Sequence, residues 1–490
     1  DPVVETYVMS TGEHVICANG ELHLERCLKD LREDYARIRL HVSPPLVSFR
    51  ETIYGEKFGF FANSPFAPYV RFGKEVVANL PNGYSVIIHA GRLPTRFAAF
   101  LEAQSVLIRD KLASLSSYME KMKMFQTELY KALKEDAEHG ELGADEEVGY
   151  QVWKEQILPS IWAFGPRKFG PNAIFGPGKY VPAQTEIARI ILGLEAPSSP
   201  GTPESTDEID EADEKRLEIE RSLLSGFQMA SNSGPLCEEP MYGMAFFISS
   251  ILTLQDGTKA ENNDNDKEEQ EQEHANVDAD EKSSEPDANS QDQDHNDTDD
   301  RQSVVSLEQA MGALSVKNNA GARSKGHLMP LCRDAFRKAL LDGGPRLMEA
   351  MFQVDIQASM EALSTMYGVI AQRRGRVIRE DMKEGTSVFL VTALVPVTES
   401  FGFTDYLRKQ TSGAASPQVS FSHWEALEQD PFWTPTTEEE LEDLGKEDST
   451  EANNNLARKL VNKVRRRKGL RVDEKIVEKA EKQRTLAKKK

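Results

Sequence analysis

Leu24, Cys27, Leu28 and Leu31 fall at i, i+3, i+4 and i+7, one apolar stripe of an α-helix that opens after Gly20. Glu21 suits the positive end of that helix. Glu21, His23 and Glu25 do not repeat at a metal-ligand spacing, so they read as its polar surface. The flanking segments "VVETYVMS", "EHVICA" and "ARIRLHV" alternate as strands do. Residues 1–44 therefore predict strand, strand, helix, strand, a piece too small to bury a core alone, and a partner half is expected upstream.

Further strands are predicted at "LVSFRETI", from Leu46, and at "GYSVIIHA", 83–90. A long helical pattern follows over 95–136, where Leu101, Ile108, Leu115, Met122 and Leu129 repeat every seven residues. Leu112, Met119 and Leu133 fill companion positions and Gln126 breaks the series. So short a seam favours a helical hairpin, or a helix packed on its own domain, over a dimeric coiled coil. "IWAFGPRKFGPNAIF" (161–175) is dense in Gly, Pro and aromatics and reads as a structured loop near a core. Residues 195–220 read as a solvated linker, and 226–254 return to core-like sequence. From Arg346 the pattern is β-α-β-β-α-β, with Phe389, Val391, Ala393 and Val395 alternating on a buried face: a ferredoxin-like split sandwich. Two basic helices close the chain, the first ending at Gly469.

The chain has 490 residues, too many for one core, which predicts two to four domains. Its net charge of −21 is unevenly placed. Residues 256–300 carry eighteen Asp/Glu against three Lys and no aromatic, which leaves −6 for everything else. Such a segment cannot offset its ordering entropy and is expected to be a disordered acidic insertion. From Leu456 to Lys490 the balance reverses, fifteen Lys/Arg against four Asp/Glu. The four cysteines show neither C-x-x-C nor zinc-finger spacing and are expected to be reduced, mostly buried thiols. The longest apolar run, Met244–Leu254, is too short for a bilayer, so no membrane partner is expected. The chain opens on Asp1, as a fragment lacking an N-terminal part would.

No phosphate-binding loop, H-E-x-x-H or G-x-S-x-G occurs. "FGPGKY" (175–180) lacks the first glycine of a phosphate loop and has Tyr180 where the Mg²⁺-binding hydroxyl belongs. Catalytic, cofactor-binding and metal residues are thus expected to be none, and the chain reads as a binding protein. Arg465, Arg466, Arg467 and Lys468 cluster beside a predicted helix and would neutralise several phosphates, with RNA the natural polyanion. A solvated helix face or a nuclear-import signal is the plainer alternative.

Long blocks in order carry a resemblance. The opening 53 residues, "IWAFGPRKFGPNAIF", "GFQMASNSGPLCEEPMYGMAFF", "PRLMEAMFQVDI", "YGVIAQRRGRV" and "VPVTESFGFTDYLRKQTSGAASPQVSFSHWEAL" resemble the translational translocases, nearest elongation factor 2. The resemblance implies a multidomain α+β chain. Residues 1–44 would be a partial ferredoxin-like third domain. Residues 45–345 would be a ribosomal protein S5 domain 2-like fourth domain with the insertions above. A ferredoxin-like fifth domain (346–430) and a basic helical tail (431–490) would follow. The family's modified-histidine loop corresponds to "AGARSKGHLMPLCRDAF", where Ala322 falls near the modified position and His327 is not that histidine. Arg323, Lys325 and His327 remain candidates for RNA contact. That departure, the acidic insertion and the tail resemble the elongation factor-like GTPases of large-subunit maturation.

That branch is implied to act late in cytoplasmic assembly of the large (60S) ribosomal subunit. It works with the Shwachman–Bodian–Diamond syndrome protein to release translation initiation factor 6. GTP and Mg²⁺ would sit in an N-terminal G domain outside these residues. The protein is expected to be cytoplasmic and monomeric. The rival expectations are an ordinary translocase and a non-enzymatic RNA-binding scaffold.

Overall fold

The computed structural model describes residues 4–8, 12–18, 20–43, 45–54, 70–80, 84–111, 118–143, 145–177, 192, 211–253, 328–383, 385–433 and 455–472. The acidic insertion 256–300 lies outside them, as do Arg323, Lys325 and His327.

The N-terminal hairpin pairs β1 (Glu5–Val8) with β2 (His14–Cys17). Helix α1 (Glu21–Asp30) follows where the apolar stripe places it and runs into a π-helical turn over Leu31–Ala36. The strand expected at "ARIRLHV" does not form. Arg37 turns left-handed (φ 50°) and residues 37–43 stay irregular. Alternation makes a strand only where a neighbour takes up its backbone hydrogen bonds, and no described strand lies beside this one.

The central sheet contains β4 (Arg71–Leu80), β5 (Tyr84–Arg92), β6 (Ile161–Gly165), β7 (Asn172–Phe175) and β8 (Met244–Thr253), in the order β4-β5-β8-β7-β6. All pairs are antiparallel except β7–β8. Helices cover both faces. On one side α2 (Thr95–Lys111), α3 (Tyr118–Glu138) and α4 (Glu146–Val152) pack over Ala245, Phe247 and Phe175. On the other, α5 (Glu211–Asn232) and α6 (Leu328–Asp342) pack over Met244, Phe246 and Ile248. Coverage on both sides explains why β8 reads as a continuous apolar run instead of an alternating one. Of the two expected arrangements, hairpin or helix packed on its own domain, the contacts are those of a hairpin: Arg96 and Phe97 meet Asp136, and Phe100 meets Phe125, so α2 and α3 run antiparallel.

Two expectations change. The Gly/Pro/aromatic run 161–175 is a hairpin of two buried strands, with the loop confined to its turn. The linker expected over 195–220 gives way at Glu211 to α5, which buries Ile219 and Glu220. Ile219, Leu223, Phe227 and Ala230 repeat every three or four residues, and that period outweighs the local acidity.

The C-terminal sheet follows the expected β-α-β-β-α-β order. It comprises β9 (Pro345–Ser359), α7 (Leu363–Gln372), β10 (Arg376–Met382), β11 (Val388–Pro396), α8 (Phe403–Gln410) and β12 (Ala415–Ala426). Its strand order is β10-β11-β9-β12, and one face packs Val354, Ile356, Val391 and Ala393 under the two helices. One strand arrives from far upstream: β3 (Phe49–Ile53) pairs with Pro345–Glu349 of β9. The last described helix, α9 (Leu456–Arg467), is capped by the Asn455 side chain, which accepts from Arg458 N. It seats Leu460, Val461 and Val464 against Phe49, Leu236, Cys237 and Leu347. No helix among the described residues is long and apolar enough to cross a membrane.

Candidate nucleic-acid interface

The basic helix α9 is positioned by a buried carboxylate. Glu51, on β3, is wholly buried and accepts hydrogen bonds from the backbone N–H of Leu236 (2.7 Å), Cys237 (2.9 Å) and Glu239 (3.0 Å). Its own backbone extends the grip, donating to Pro240 O and accepting from Tyr242 N. Gly234 must be glycine, because a side chain there would run into the Glu51 carboxylate. Burial pushes the Glu51 carboxyl above its ordinary pKa, against the pull of the three N–H donors. The adjoining buried Cys237 thiol is also raised, by burial first and then by Glu51. All four cysteines are free; Cys237 and Cys332 are buried, whereas Cys17 is exposed and Cys27 half-buried.

The loop that Glu51 holds in turn receives cations. Arg337 of α6 donates to the backbone and hydroxyl oxygens of Ser233 at 2.9 and 2.8 Å. Arg465 donates through Nη1 to Leu236 O (2.5 Å) and through Nε to Arg471 O (2.7 Å). Lys468 donates to Glu238 O (2.7 Å) and pairs with the Glu239 carboxylate (2.8 Å). Two of the four clustered cations, Arg465 and Lys468, are therefore turned onto the protein. Arg467 is half-buried and Arg466 exposed. The exposed basic face of α9 is instead Lys459, Lys463 and Arg466, at i, i+4 and i+7. Adjacency in sequence singled out the cluster; helical period is the signal that finds the face.

A second cationic element was missed. The turn between β6 and β7 carries Arg167 and Lys168, both exposed and both left-handed at φ 58° and 71°. That conformation costs an L-residue about 1 kcal/mol or more each. Buried groups hold it. Asn172, 0% exposed, donates from Nδ2 to Gly165 O (3.0 Å) and Met241 O (2.8 Å), while its Oδ1 accepts from Met244 N (2.9 Å). Gln228 accepts from Lys168 N (3.0 Å) and donates to Phe164 O (2.7 Å). At Gly165 a Cβ would stand 2.7 Å from the Phe227 ring, and at Gly170 one would strike the Gly165 backbone.

The described residues contain no group of three or more His, Cys, Asp or Glu placed to hold an ion. At Gly176, inside the "FGPGKY" stretch, a Cβ would collide with the Trp162 indole, so the backbone there is packed against a ring, while Gly178–Tyr180 of the same stretch lie outside the described residues.

The elongation factor G C-terminus family model matches residues 346–434, the sheet built around β9. Over its whole length the chain is 35% identical to "Elongation factor-like GTPase 1" of Mus musculus and 36% identical to that of Homo sapiens, spanning 43% of each. It is 34% identical to "Ribosome assembly protein 1" of Saccharomyces cerevisiae, spanning 36% of it. The chain is therefore similar over its whole length to elongation factor-like GTPase 1 and ribosome assembly protein 1, and it spans 36–43% of the length of these relatives.

Proposed function

We propose that this chain is the ribosome-binding arm of a GTPase acting in late cytoplasmic maturation of the large (60S) ribosomal subunit. In this proposal the full-length protein works with the Shwachman–Bodian–Diamond syndrome protein to promote release of translation initiation factor 6. The single observation that carries it is the similarity, end to end, to relatives named for ribosome assembly. The arm grips the subunit with cationic surfaces and reports its state to a G domain, outside these residues, that holds GTP and Mg²⁺. Such reporting needs two conformations that differ in affinity for the subunit. Residues 1–44, 45–345 and 346–430 would serve as third, fourth and fifth domains, with 431–490 as a basic tail. Arg323, Lys325, His327, Arg466 and Arg467 remain proposed contacts, with Arg465 and Lys468 seating the helix that carries the last two. The protein would work as a monomer.

The test uses the full-length protein, GTP, the Shwachman–Bodian–Diamond syndrome protein and large subunits that still carry initiation factor 6. The expected result is release of the factor only when all components are present. A factor that stays bound in the complete mixture contradicts the proposal.

A further inference from the structure

We infer that the β6–β7 turn is a phosphodiester-binding element, with Arg167 and Lys168 contacting an RNA backbone together with the exposed face of α9. The inference rests on the ribosome-binding proposal and adds the class of partner and the residues that meet it. Strained backbone at two adjacent non-glycine residues persists only where its surroundings over-determine it, and such sites cluster at functional surfaces. Here the surroundings are a fully buried asparagine, the half-buried Gln228 and glycines with no room for a side chain. The frame thus fixes where two cations project.

The two cationic elements lie far apart in sequence but are tied to one segment. Gln228 holds the turn, Met241 O accepts from the asparagine beneath it, and Leu236, Glu238 and Glu239 hold α9 between them. The 228–241 segment therefore ties both elements to one frame, and that frame is locked from below by Glu51.

The composition of the surface favours RNA over a protein. Protein interfaces centre on buried apolar or aromatic anchors. In the turn, Phe169 packs inward against the core, and the N–H groups of Lys168, Phe169 and Gly170 are taken internally. On α9 the apolar side chains Leu460, Val461 and Val464 are likewise spent on the core. What both elements offer outward is point charge on a rigid support, which matches a sugar–phosphate backbone.

The test replaces both residues by glycine, Arg167→Gly with Lys168→Gly, in the 490-residue chain. Glycine accepts the left-handed backbone, so the turn keeps its shape and the thermal midpoint should stay level or rise. Binding is measured to intact large subunits and to deproteinised large-subunit rRNA across a salt series. The expected result is roughly tenfold weaker binding to both probes near 0.1 M salt, with the slope of log K against log salt reduced by about 1 to 2. Arg167→Lys, which keeps the charge, should bind as the unaltered chain does. Unchanged affinity and slope in the double variant, with the unaltered chain binding well, overturns this inference and leaves the ribosome-binding proposal standing. Weakening on intact subunits but not on naked rRNA overturns the RNA assignment in favour of a ribosomal protein. An unaltered chain that binds neither probe overturns both.

Discussion

Two glutamates make the same kind of contact in opposite settings. Glu51 accepts three backbone N–H groups at a wholly buried joint between β3 and the 234–241 loop. Glu21, on α1, accepts from Gly402 N through both oxygens, at 3.0 and 2.9 Å, in an exposed contact at the start of α8. Around Glu51 the joint is dense. Arg50 lies 4.9 Å over the Trp424 ring and 3.4 Å from Glu102, while Arg346 lies 4.9 Å over Tyr54 and pairs with Asp430 at 3.0 Å. The N-terminal piece, by contrast, exposes Tyr35 (80%) and Ile38 (68%) and joins the rest through irregular backbone. A buried contact that leaves orphaned donors when broken is a permanent joint. An exposed one, where water replaces the lost partner, is an exchangeable latch. The contrast predicts that the Glu51 joint holds the central and C-terminal sheets together and that the Glu21 contact opens more readily.

Breaking the joint should give the largest effect. Glu51→Ala strands three buried N–H donors and is expected to cost about 3–5 kcal/mol, read from denaturant unfolding. Hydrogen exchange should show the 234–241 amides and α9 losing protection together. A loss below about 1 kcal/mol would place Glu51 in the same class as an exposed contact and remove the distinction.

Asp136 sharpens the comparison from between these extremes. It accepts from Arg96 N (3.0 Å) and Phe97 N (2.9 Å) at the start of α2. Burial pushes its pKa from 3.8 up to about 6, against the pull of those two donors. A carboxyl whose folded pKa is raised contributes stability that is full below pH 3.8 and is lost as pH rises through 6. Relative to Asp136→Asn, the protein should therefore lose up to about 3 kcal/mol between pH 4 and pH 7. A pH-independent difference between the two would contradict the assignment.

The smallest effect is expected at the latch. Glu21→Ala should change global stability by less than about 1 kcal/mol. It should still raise hydrogen exchange at Gly402 and the first turn of α8, since their carboxylate cap is gone. A global loss as large as that at Glu51 would mean the N-terminal piece is not exchangeable.

Period made the local units legible. The i, i+3, i+4 stripe gave α1, the seven-residue repeat gave helix over the region of α2 and α3, and period-two alternation gave β11 with its ferredoxin-like neighbours. Pairings between distant residues left no such trace. Phe49–Ile53 reads locally as a strand of the region that follows it, yet it joins β9, almost 300 residues later. Glu51 looked like one more charge in an alternating strand; its partners lie 185–188 residues away. Arg167 and Lys168 were masked by the glycines and prolines around them, which announce a turn but not its handedness. The Arg465–Lys468 cluster was legible as charge, while its division into anchors and surface required knowing which face of α9 packs inward.

The most direct measurement is co-sedimentation of the purified 490-residue chain with free large ribosomal subunits over a salt series. A ribosome-gripping arm should pellet with large subunits at low salt, compete with the full-length protein for the same particles, and dissociate steeply as salt rises. A chain that stays in the supernatant at every salt concentration, while correctly folded, would contradict the account.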